Sequence, residues 1–389
     1  MIKFAFRPNL KYPLQLIIWS FIRDIERDLI GNYFSYKINL IYLPLMFLGE
    51  FLFGLTFYLY QQKYLKNYRN KNKVNFFGIE LISNNTQKSL KRRDKKYIEI
   101  LLILFNAFFD AVEFVLSTEI LPKFINISPS IELRLNGLLI ILQAIFYRYV
   151  LKLTVFKHQY FSLVIIAICL TILIISEYIF HDFNIFLNFG TFTMLFVVLF
   201  FIQFFNSLLD LVDKYLFEYD HVNPFKCLML EGIFGLVYSL FYFIYKSPIK
   251  EIYKYYKDKN DNISLLIVLL FLYMILCGGQ NSFRVITNKI YSPMAATLSQ
   301  YFLNPIYIIF TLLFSNDFIS YGKRNYFYFT INFLLAIIIS LSGCVYNEFC
   351  ILFFCGLQHE THYQITCRAI FEDKLFSVND DIDEDETVI

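Results

Sequence analysis

The stretch LGEFLFGL (residues 48–55) places a glutamate and two glycines in the middle of an apolar segment. A related stretch, LEGIFGL (residues 230–236), lies in a second apolar segment, and both contain the pattern Glu-x-x-Phe-Gly-Leu. Counting forward, five spans separate the two segments, so they run in opposite directions through a membrane. The pattern therefore predicts an inverted-topology repeat, the arrangement on which many secondary transporters are built.

The composition around these segments is typical of a membrane protein. Of the 389 residues, 57% are hydrophobic, 20% aromatic and only 17% charged, and the mean hydropathy is +0.51. Ordinary soluble domains carry about 25% charged residues, so the composition excludes a soluble globular protein. Lys and Arg exceed Asp and Glu by only 35 to 32. Because no basic surface and no nucleic-acid-reading module appears, no nucleic-acid partner is expected.

Nine apolar segments are each about 20 residues long, the length that crosses about 30 Å of hydrocarbon as a helix. They lie at about 38–60, 98–118, 131–151, 158–180, 188–212, 226–245, 264–284, 293–314 and 326–346. A five-helix repeat requires one more helix near residues 10–30, where SFIRDIER (residues 20–27) faintly matches SLLDLVDK (residues 207–214). We therefore predict an all-α, polytopic membrane helix bundle of about ten transmembrane helices in two inverted five-helix repeats. The first helix is short or degenerate, and nine helices with an outer N-terminus is the alternative.

Three parts follow from this arrangement. Residues 1–37 form an N-terminal segment with the short first helix, and residues 38–347 form the transmembrane domain, with halves at about 10–180 and 188–347. Residues 348–389 form a cytosolic acidic tail. The basic stretch at residues 61–97 is cytosolic by the positive-inside rule, which places both ends in the cytosol when ten helices are present. The seven cysteines show no paired spacing, so neither disulfides nor a metal site is expected.

Polar side chains at membrane depth supply the candidate site residues. A charged side chain at the bilayer centre costs about 2.5–3.5 kcal/mol on insertion scales, so each one needs a partner, an aqueous cavity or a function. Two helices carry polar stripes, the first formed by Asn106, Asp110, Glu113 and Ser117 and the second by Gln203, Asn206, Asp210 and Asp213. Each stripe lies on one helix face, and together they predict a lined cavity.

Five further residues join the candidate substrate-binding set, and they are Glu50, Arg134, Glu231, Gln300 and Asn304. Arg134 is expected on the same side as Glu113, where it either forms a structural ion pair or binds an anionic substrate. Glu50 and Glu231 are either proton or substrate groups, or structural hydrogen-bond partners at close helix contacts that the neighbouring glycines mark.

Two interruptions are expected in the C-terminal half. Gly278-Gly279-Gln280-Asn281-Ser282 is predicted to interrupt one helix, and Asn304-Pro305 lies in the middle of the next span. Proline removes a backbone donor and frees a carbonyl one turn back, which produces either a binding point at membrane depth or a plain packing kink.

Several motifs together resemble a known family. They are Met46-Phe47-Leu48-Gly49-Glu50, Leu133-Arg134-Leu135-Asn136-Gly137, the Glu-Gly-x-Phe-Gly helix that follows Asp213-Lys214 and Asn223-Pro224-Phe225, and Gly343-Cys344-Val345-Tyr346-Asn347. In their order and spacing, over about residues 35–347, the chain resembles the drug/metabolite transporter superfamily. Within it, the chain looks most like the nucleotide-sugar-transporter-like branch, which is similar to solute carrier family 35 and of the EamA type. The resemblance implies ten helices in two inverted halves, a central site and alternating-access movement of a small organic solute.

The resulting expectation is a secondary-active transporter rather than an enzyme. Relatives of this branch tend to have Leu-Arg-Gly where this chain has Leu-Arg-Leu-Asn-Gly, so a sugar-nucleotide specificity is not carried over, although a nucleotide sugar or related metabolite remains an option. An endomembrane (Golgi, ER or vesicles) is favoured over the plasma membrane. The alternatives are a non-transporting interaction protein or a channel and, less favoured, an intramembrane enzyme, since no histidine lies deep in a span and no nucleophile elbow appears.

The partner expectations are few. The solute and the lipid bilayer are the expected partners, and no cofactor is expected. The sequence leaves open whether the chain forms a homodimer. The C-terminal Thr387-Val388-Ile389 fits the pattern of a PDZ-type carboxylate-capture partner.

Overall fold

The computed structural model describes residues 2–4, 11–33, 39–68, 96–121, 130–180, 189–246, 263–303, 305–306, 309, 325–352, 357 and 361. These residues are almost entirely helical. A helix is the expected form for long apolar segments, because the hydrocarbon offers backbone N–H and C=O groups no partners and a helix pairs them within the segment.

The helices lie close to the predicted spans. Their bounds are α1 Lys11–Tyr33, α2 Asn39–Tyr68, α3 Lys96–Val115, α4 Ser130–Tyr149, α5 Lys157–Phe180, α6 Phe189–Lys214, α7 Pro224–Lys246, α8 Ile263–Ile290, α9 Pro293–Tyr301 and α10 Asn325–Tyr346. One π-helical turn continues α3 at Leu116–Ile120, and another continues α6 at Tyr215–Tyr219. A helix is present where only the faint repeat pointed to one, since α1 has 23 residues.

Six helices are long and apolar enough to cross a membrane. The segments are Ile41–Lys63, Tyr97–Ile120, Lys157–Ser176, Thr193–Glu218, Pro224–Tyr245 and Ser264–Ile290, and two shorter apolar helices lie at Gly137–Tyr149 and Thr330–Tyr346. Leu240, Phe241 and Ile244 on α7 are 61–68% exposed, which suits a surface that faces lipid rather than water. The chain is therefore an α-helical bundle of the kind found in multi-pass membrane proteins. Ten crossings and an inverted relation between the halves stay predictions.

Helix packing follows a similar pattern in the two halves. The most extensive contact joins α2 to α7. An inverted repeat of five helices makes α1 equivalent to α6, α2 to α7, α3 to α8, α4 to α9 and α5 to α10. Under this rule, the α2–α8 contact is equivalent to α3–α7, α1–α8 to α3–α6, α1–α9 to α4–α6, and α4–α5 to α9–α10. The structure contains all eight of these contacts. The correspondence is incomplete, because α8 also packs on α7 and α9 and the described residues of α3 make no contacts of similar extent with α2 and α4.

Two large clusters of buried apolar residues pack the helices against one another. The largest cluster joins α4, α5, α6, α9 and α10 and contains the buried residues Ile140, Ile166 and Leu199. A second cluster joins α2, α3 and α8 around Phe47 and Tyr273. These clusters hold in place the helices that carry the buried polar residues.

A small antiparallel ribbon joins the two ends of the fold, and the sequence did not predict it. Strand β1 (Ile2–Phe4) pairs with β2 (Cys350–Leu352), with Phe4 opposite Cys350. The predicted tail therefore begins with packed residues. Glu348 is buried, and its Oε1 lies 3.4 Å from Nε2 of His158 at the start of α5. The acidic run at residues 380–386 lies outside the described residues.

Candidate functional site

Glycines bring α2 into backbone contact with α7 and α8. A Cβ added to Gly232 would lie 2.5 Å from the backbone nitrogen of Phe51, and one added to Gly49 would lie 2.3 Å from the carbonyl oxygen of Met274. No larger residue fits at either position without moving a helix. Small residues allow this close approach between membrane helices. The contact draws Glu50 and Glu231, which neighbour these glycines, into the centre of the bundle.

Each of these glutamates accepts a hydrogen bond from an asparagine. Asn281 of α8 donates to Glu50 of α2, and Asn106 of α3 donates to Glu231 of α7. The four side chains are at most 9% exposed. Because α2 is equivalent to α7 and α8 to α3 in the predicted repeat, the two Glu–Asn pairs occupy equivalent positions. Each asparagine is also followed by a small residue and a phenylalanine, in Asn106-Ala107-Phe108 and in Asn281-Ser282-Phe283. The repeat of the two glutamates is thus matched by a repeat of their partners.

Asp213 of α6 extends the Glu231 pair into a network. Its Oδ1 accepts a hydrogen bond of 3.0 Å from Asn106, and its Oδ2 accepts one of 2.7 Å from Asn288. Among the described residues, Asp213, Glu231 and the buried Cys227 are close enough to share a metal ion, with candidate ligand atoms within 4.8 Å of one another. Because Asn106 donates to both carboxylates, hydrogen bonds within the protein already stabilise this arrangement.

Arg284 of α8 lies at the centre of the charged residues, and sequence reasoning missed it. Its guanidinium interacts electrostatically with Asp213, Asp110, Glu231 and Glu50. Within the described part of the chain, however, it makes no ion pair with a carboxylate, and its buried Nε has no hydrogen-bond partner. The predicted span ended at residue 284, whereas α8 continues to Ile290. The stripe Asn281, Arg284 and Asn288, at i, i+3 and i+7, is the signal that could have revealed it.

A cavity of about 90 Å³ opens beside Arg284. It is lined by Leu139 of α4, by Gln203, Asn206, Leu209 and Asp210 of α6, by Arg284 of α8, and by Ala296, Thr297 and Gln300 of α9. Thr297 donates a hydrogen bond of 3.2 Å to Oδ2 of Asp210, and Gln143 of α4 donates both to that oxygen and, at 2.9 Å, to Oγ1 of Thr297. The cavity is thus a polar pocket held between four helices, with one cation and one carboxylate in its wall.

The structure brings most of the predicted site residues together. Gln203 and Gln300 line the cavity, as do Asn206 and Asp210 from the second polar stripe. The first stripe meets the second through the bond from Asn106 to Asp213.

The remaining predicted site residues either do not line the cavity or lie outside the residues that the structure describes. Asp110 interacts electrostatically with Arg284. Glu113 is half-buried on α3 and is not among the described residues that line the cavity. The side chain of Arg134 and the whole of Asn304 lie outside the described residues, so the predicted pair of Arg134 with Glu113 and the role of Asn304 stay predictions.

The predicted interruption at Gly278–Ser282 is wrong. Helix α8 runs without a break from Ile263 to Ile290. A Cβ on Gly278 would lie 2.6 Å from the carbonyl oxygen of Gly49, and one on Gly279 would lie 2.4 Å from the ring of Trp19. These glycines therefore serve close contact of α8 with α1 and α2 rather than a break in the helix.

No protein-family model matches the sequence, and no functionally curated protein is significantly similar to it.

Proposed function

We propose that the protein is a secondary-active transporter that moves a small organic solute by alternating access. The observation that carries this proposal is the cavity beside Arg284. It is polar and charged, and its lining includes residues of two segments long enough to cross a membrane, Thr193–Glu218 and Ser264–Ile290. Helices of both predicted halves line it, α4 from the first and α6, α8 and α9 from the second. Secondary transporters bind their solutes near the middle of the membrane, at the interface of two repeats.

A purely structural role explains these charges less well. A charge largely removed from water is tolerated when it is paired and hydrogen-bonded, yet within the described residues the half-buried Arg284 has neither an ion pair nor a hydrogen-bond partner for its buried Nε. Its four carboxylate neighbours act on it electrostatically without contact. An ionisable residue kept at membrane depth under such conditions indicates a pathway or a binding site.

Three features support an arrangement of ten helices in two inverted halves. The helix contacts correspond under exchange of helices five positions apart, and so do the two Glu–Asn pairs. Equivalent helices that lie five crossings apart run in opposite directions. In a chain that crosses a membrane, β1 and β2 can pair only when both lie on the same side of it. An even number of crossings satisfies this condition, which favours ten over nine.

By analogy with the resembled family, one candidate solute is a nucleotide sugar or related metabolite carried across an endomembrane. Sites for drug-sized ligands occupy about 300–1,000 Å³. A nucleotide sugar therefore requires the helices around the cavity to move apart from the conformation described, whereas a smaller solute does not.

The experiment that tests this function is exchange into liposomes that contain the purified full-length protein. The panel covers nucleotide sugars, sugars, amino acids, small organic anions and small organic cations, each with and without the same solute preloaded inside. We expect saturable uptake of at least one solute class that the preloaded solute stimulates, since alternating access couples the two directions. Flux should fall at least about tenfold in Arg284→Gln, the loss expected when one charged hydrogen-bonding group is removed.

Arg148→Gln is the matched control. Arg148 is exposed at the end of α4 and is not among the described residues that line the cavity. Among the described residues, its one hydrogen bond is a long one of 3.4 Å to the carbonyl oxygen of Leu153. Its flux should equal that of the wild type. Folded wild-type protein that carries no solute of the panel faster than protein-free liposomes would contradict the proposal. Flux that rises linearly with concentration and ignores preloading would indicate a channel instead.

A further inference from the structure

We infer that the cavity binds a small zwitterion, with Arg284 holding its carboxylate and Asp210 holding its ammonium group. The inference rests on the proposed transport function for its physiological meaning, but it concerns binding and can be tested without transport. It names a substrate class from the charges in the cavity wall.

Arg284 supplies the carboxylate-binding group. A guanidinium presents five N–H donors in a rigid fork that matches a carboxylate with two parallel bonds. In the described part of the chain no carboxylate is in ion-pair contact with this fork, and the buried Nε has no acceptor. Because a charged side chain without a partner costs free energy at membrane depth, a ligand whose carboxylate pairs with the accessible end of the guanidinium gains free energy on binding.

Asp210 supplies the ammonium-binding group. Both hydrogen bonds that it accepts, from Gln143 and Thr297, end on Oδ2. Among the described residues, no donor bonds to Oδ1. Asp210 lines the same cavity as Arg284. Gln143 and Thr297 thus fix the carboxylate of Asp210 while one oxygen stays available to a ligand.

A zwitterion suits the two charged groups better than a simple anion or cation does. A monoanion at Arg284 would add negative charge beside Asp110, Asp213 and Glu231, which already act on the guanidinium. A monocation at Asp210 would leave the guanidinium of Arg284 without an acceptor. A zwitterion adds no net charge and satisfies both groups.

The remaining wall fits a small solute of this class. Gln203, Asn206 and Gln300 add amide groups, whereas Leu139 and Leu209 give the cavity an apolar side. At about 90 Å³ the cavity has room for a short apolar substituent beside the two charged groups.

The test is isothermal titration calorimetry on the purified full-length protein in detergent, with L-alanine, propionate and ethylamine as probes. Propionate lacks only the ammonium group of alanine, and ethylamine lacks only the carboxylate. We expect saturable binding of alanine and at least about tenfold weaker binding of the other two, because each loses one charge-assisted contact. L-Valine and L-phenylalanine extend the panel to larger zwitterions, and L-phenylalanine should bind more weakly than L-alanine because its ring is too large for a cavity of about 90 Å³.

Two cavity variants locate the site. Arg284→Gln and Asp210→Asn should each weaken the binding of the zwitterion at least about tenfold, whereas Arg148→Gln and Glu218→Gln should leave it unchanged. Glu218 is a suitable carboxylate control because it pairs with Lys214 on the π-helical turn and its side chain is 38% exposed. Should Arg284→Gln fail to fold, Arg284→Lys keeps the charge and loses the fork, and the same weakening is expected.

The inference is overturned when no zwitterion of the panel binds saturably, when propionate or ethylamine binds as tightly as alanine, or when the cavity variants bind as the wild type does. Its failure is distinguishable from failure of the proposed function. Flux of another solute without zwitterion binding retains the transporter and rejects the zwitterion. Zwitterion binding without flux retains the site and rejects the transporter.

Discussion

Replacing Gly232 by alanine tests the contact on which the centre of the bundle depends. The added Cβ would lie 2.5 Å from the backbone nitrogen of Phe51 and 2.8 Å from the carbonyl oxygen of Phe47. Non-bonded carbon contacts are comfortable at about 3.5–4.0 Å, so α2 and α7 must separate by about 1 Å. Both neighbours are backbone atoms and cannot rotate away. Overpacking of this kind costs about 1–3 kcal/mol.

The matched control is Gly190→Ala on α6, where an added Cβ meets no atom within 4 Å. Gly232 lies in the interior of α7, where alanine gains about 0.5–1 kcal/mol of helix propensity, whereas Gly190 lies in the first turn of α6, where the gain is smaller. The free energy of unfolding of Gly232→Ala should therefore fall below that of Gly190→Ala by the overpacking cost less this difference in propensity. The measurement is thermal unfolding of both variants in one detergent at one heating rate, because membrane proteins often unfold irreversibly and the midpoint then depends on the rate.

We expect Gly232→Ala to unfold at a midpoint about 1 °C to a few degrees below that of Gly190→Ala. A difference of 1 kcal/mol corresponds to about 2–4 °C in chains of 150–250 residues, and to less in a longer chain. Equal midpoints would refute the reasoning, because they would mean that α2 and α7 separate at no cost. Solute flux provides a second reading, since Glu231 is adjacent to the substituted glycine and moves with it.

Three further predictions follow from the contacts described. Asn106→Leu should lower the free energy of unfolding more than Asn281→Leu does, because Asn106 donates to two buried carboxylates and Asn281 to one. Each carboxylate left without its donor costs about 1–3 kcal/mol. Thermal unfolding measures the difference, and equal losses would contradict the prediction. Phe4→Cys should form a disulfide with Cys350 under mild oxidation, because directly opposed residues of an antiparallel pair lie at a distance that a disulfide spans. Mass spectrometry identifies the linked peptides. The control is Ile2→Cys, which is paired with Leu352 and should not link to Cys350. Gly279→Val should shift the fluorescence emission of Trp19, the single tryptophan, because the new side chain displaces its ring from α8; an emission maximum identical to that of wild type would show that the ring does not lie on this glycine.

The helices were predictable from the sequence because the bilayer leaves an apolar segment of 20 residues few alternatives to a helix. The same reasoning found Glu50, Asn106, Gln203 and Glu231, since a polar side chain inside such a segment stands out. Their partners were harder to find. Nothing in the separate helices indicates that Asn281 reaches Glu50, because this pairing depends on how closely the glycines let α2 and α8 approach.

The failures have physical reasons as well. Gly278 and Gly279 suggested a break because glycine weakens an isolated helix, but in a bundle the missing side chain allows close contact and the helix continues. Arg284 was missed because a cation looks like the end of a span, whereas α8 extends beyond it. The ribbon of β1 and β2 was missed because three-residue strands carry no periodic signal and their partners lie at opposite ends of the chain.

That ribbon also bears on how the protein is made. Residues 2–4 are synthesised before α1, and residues 350–352 only after every helix from α1 to α10. The pairing closes a loop that includes all ten helices, so it cannot form before the last of them has been synthesised, and its entropic cost falls once the bundle has brought the two strands together. During biosynthesis the ribbon thus marks completion of the helix bundle, because a chain truncated before residue 350 leaves the backbone groups of β1 without their partner strand.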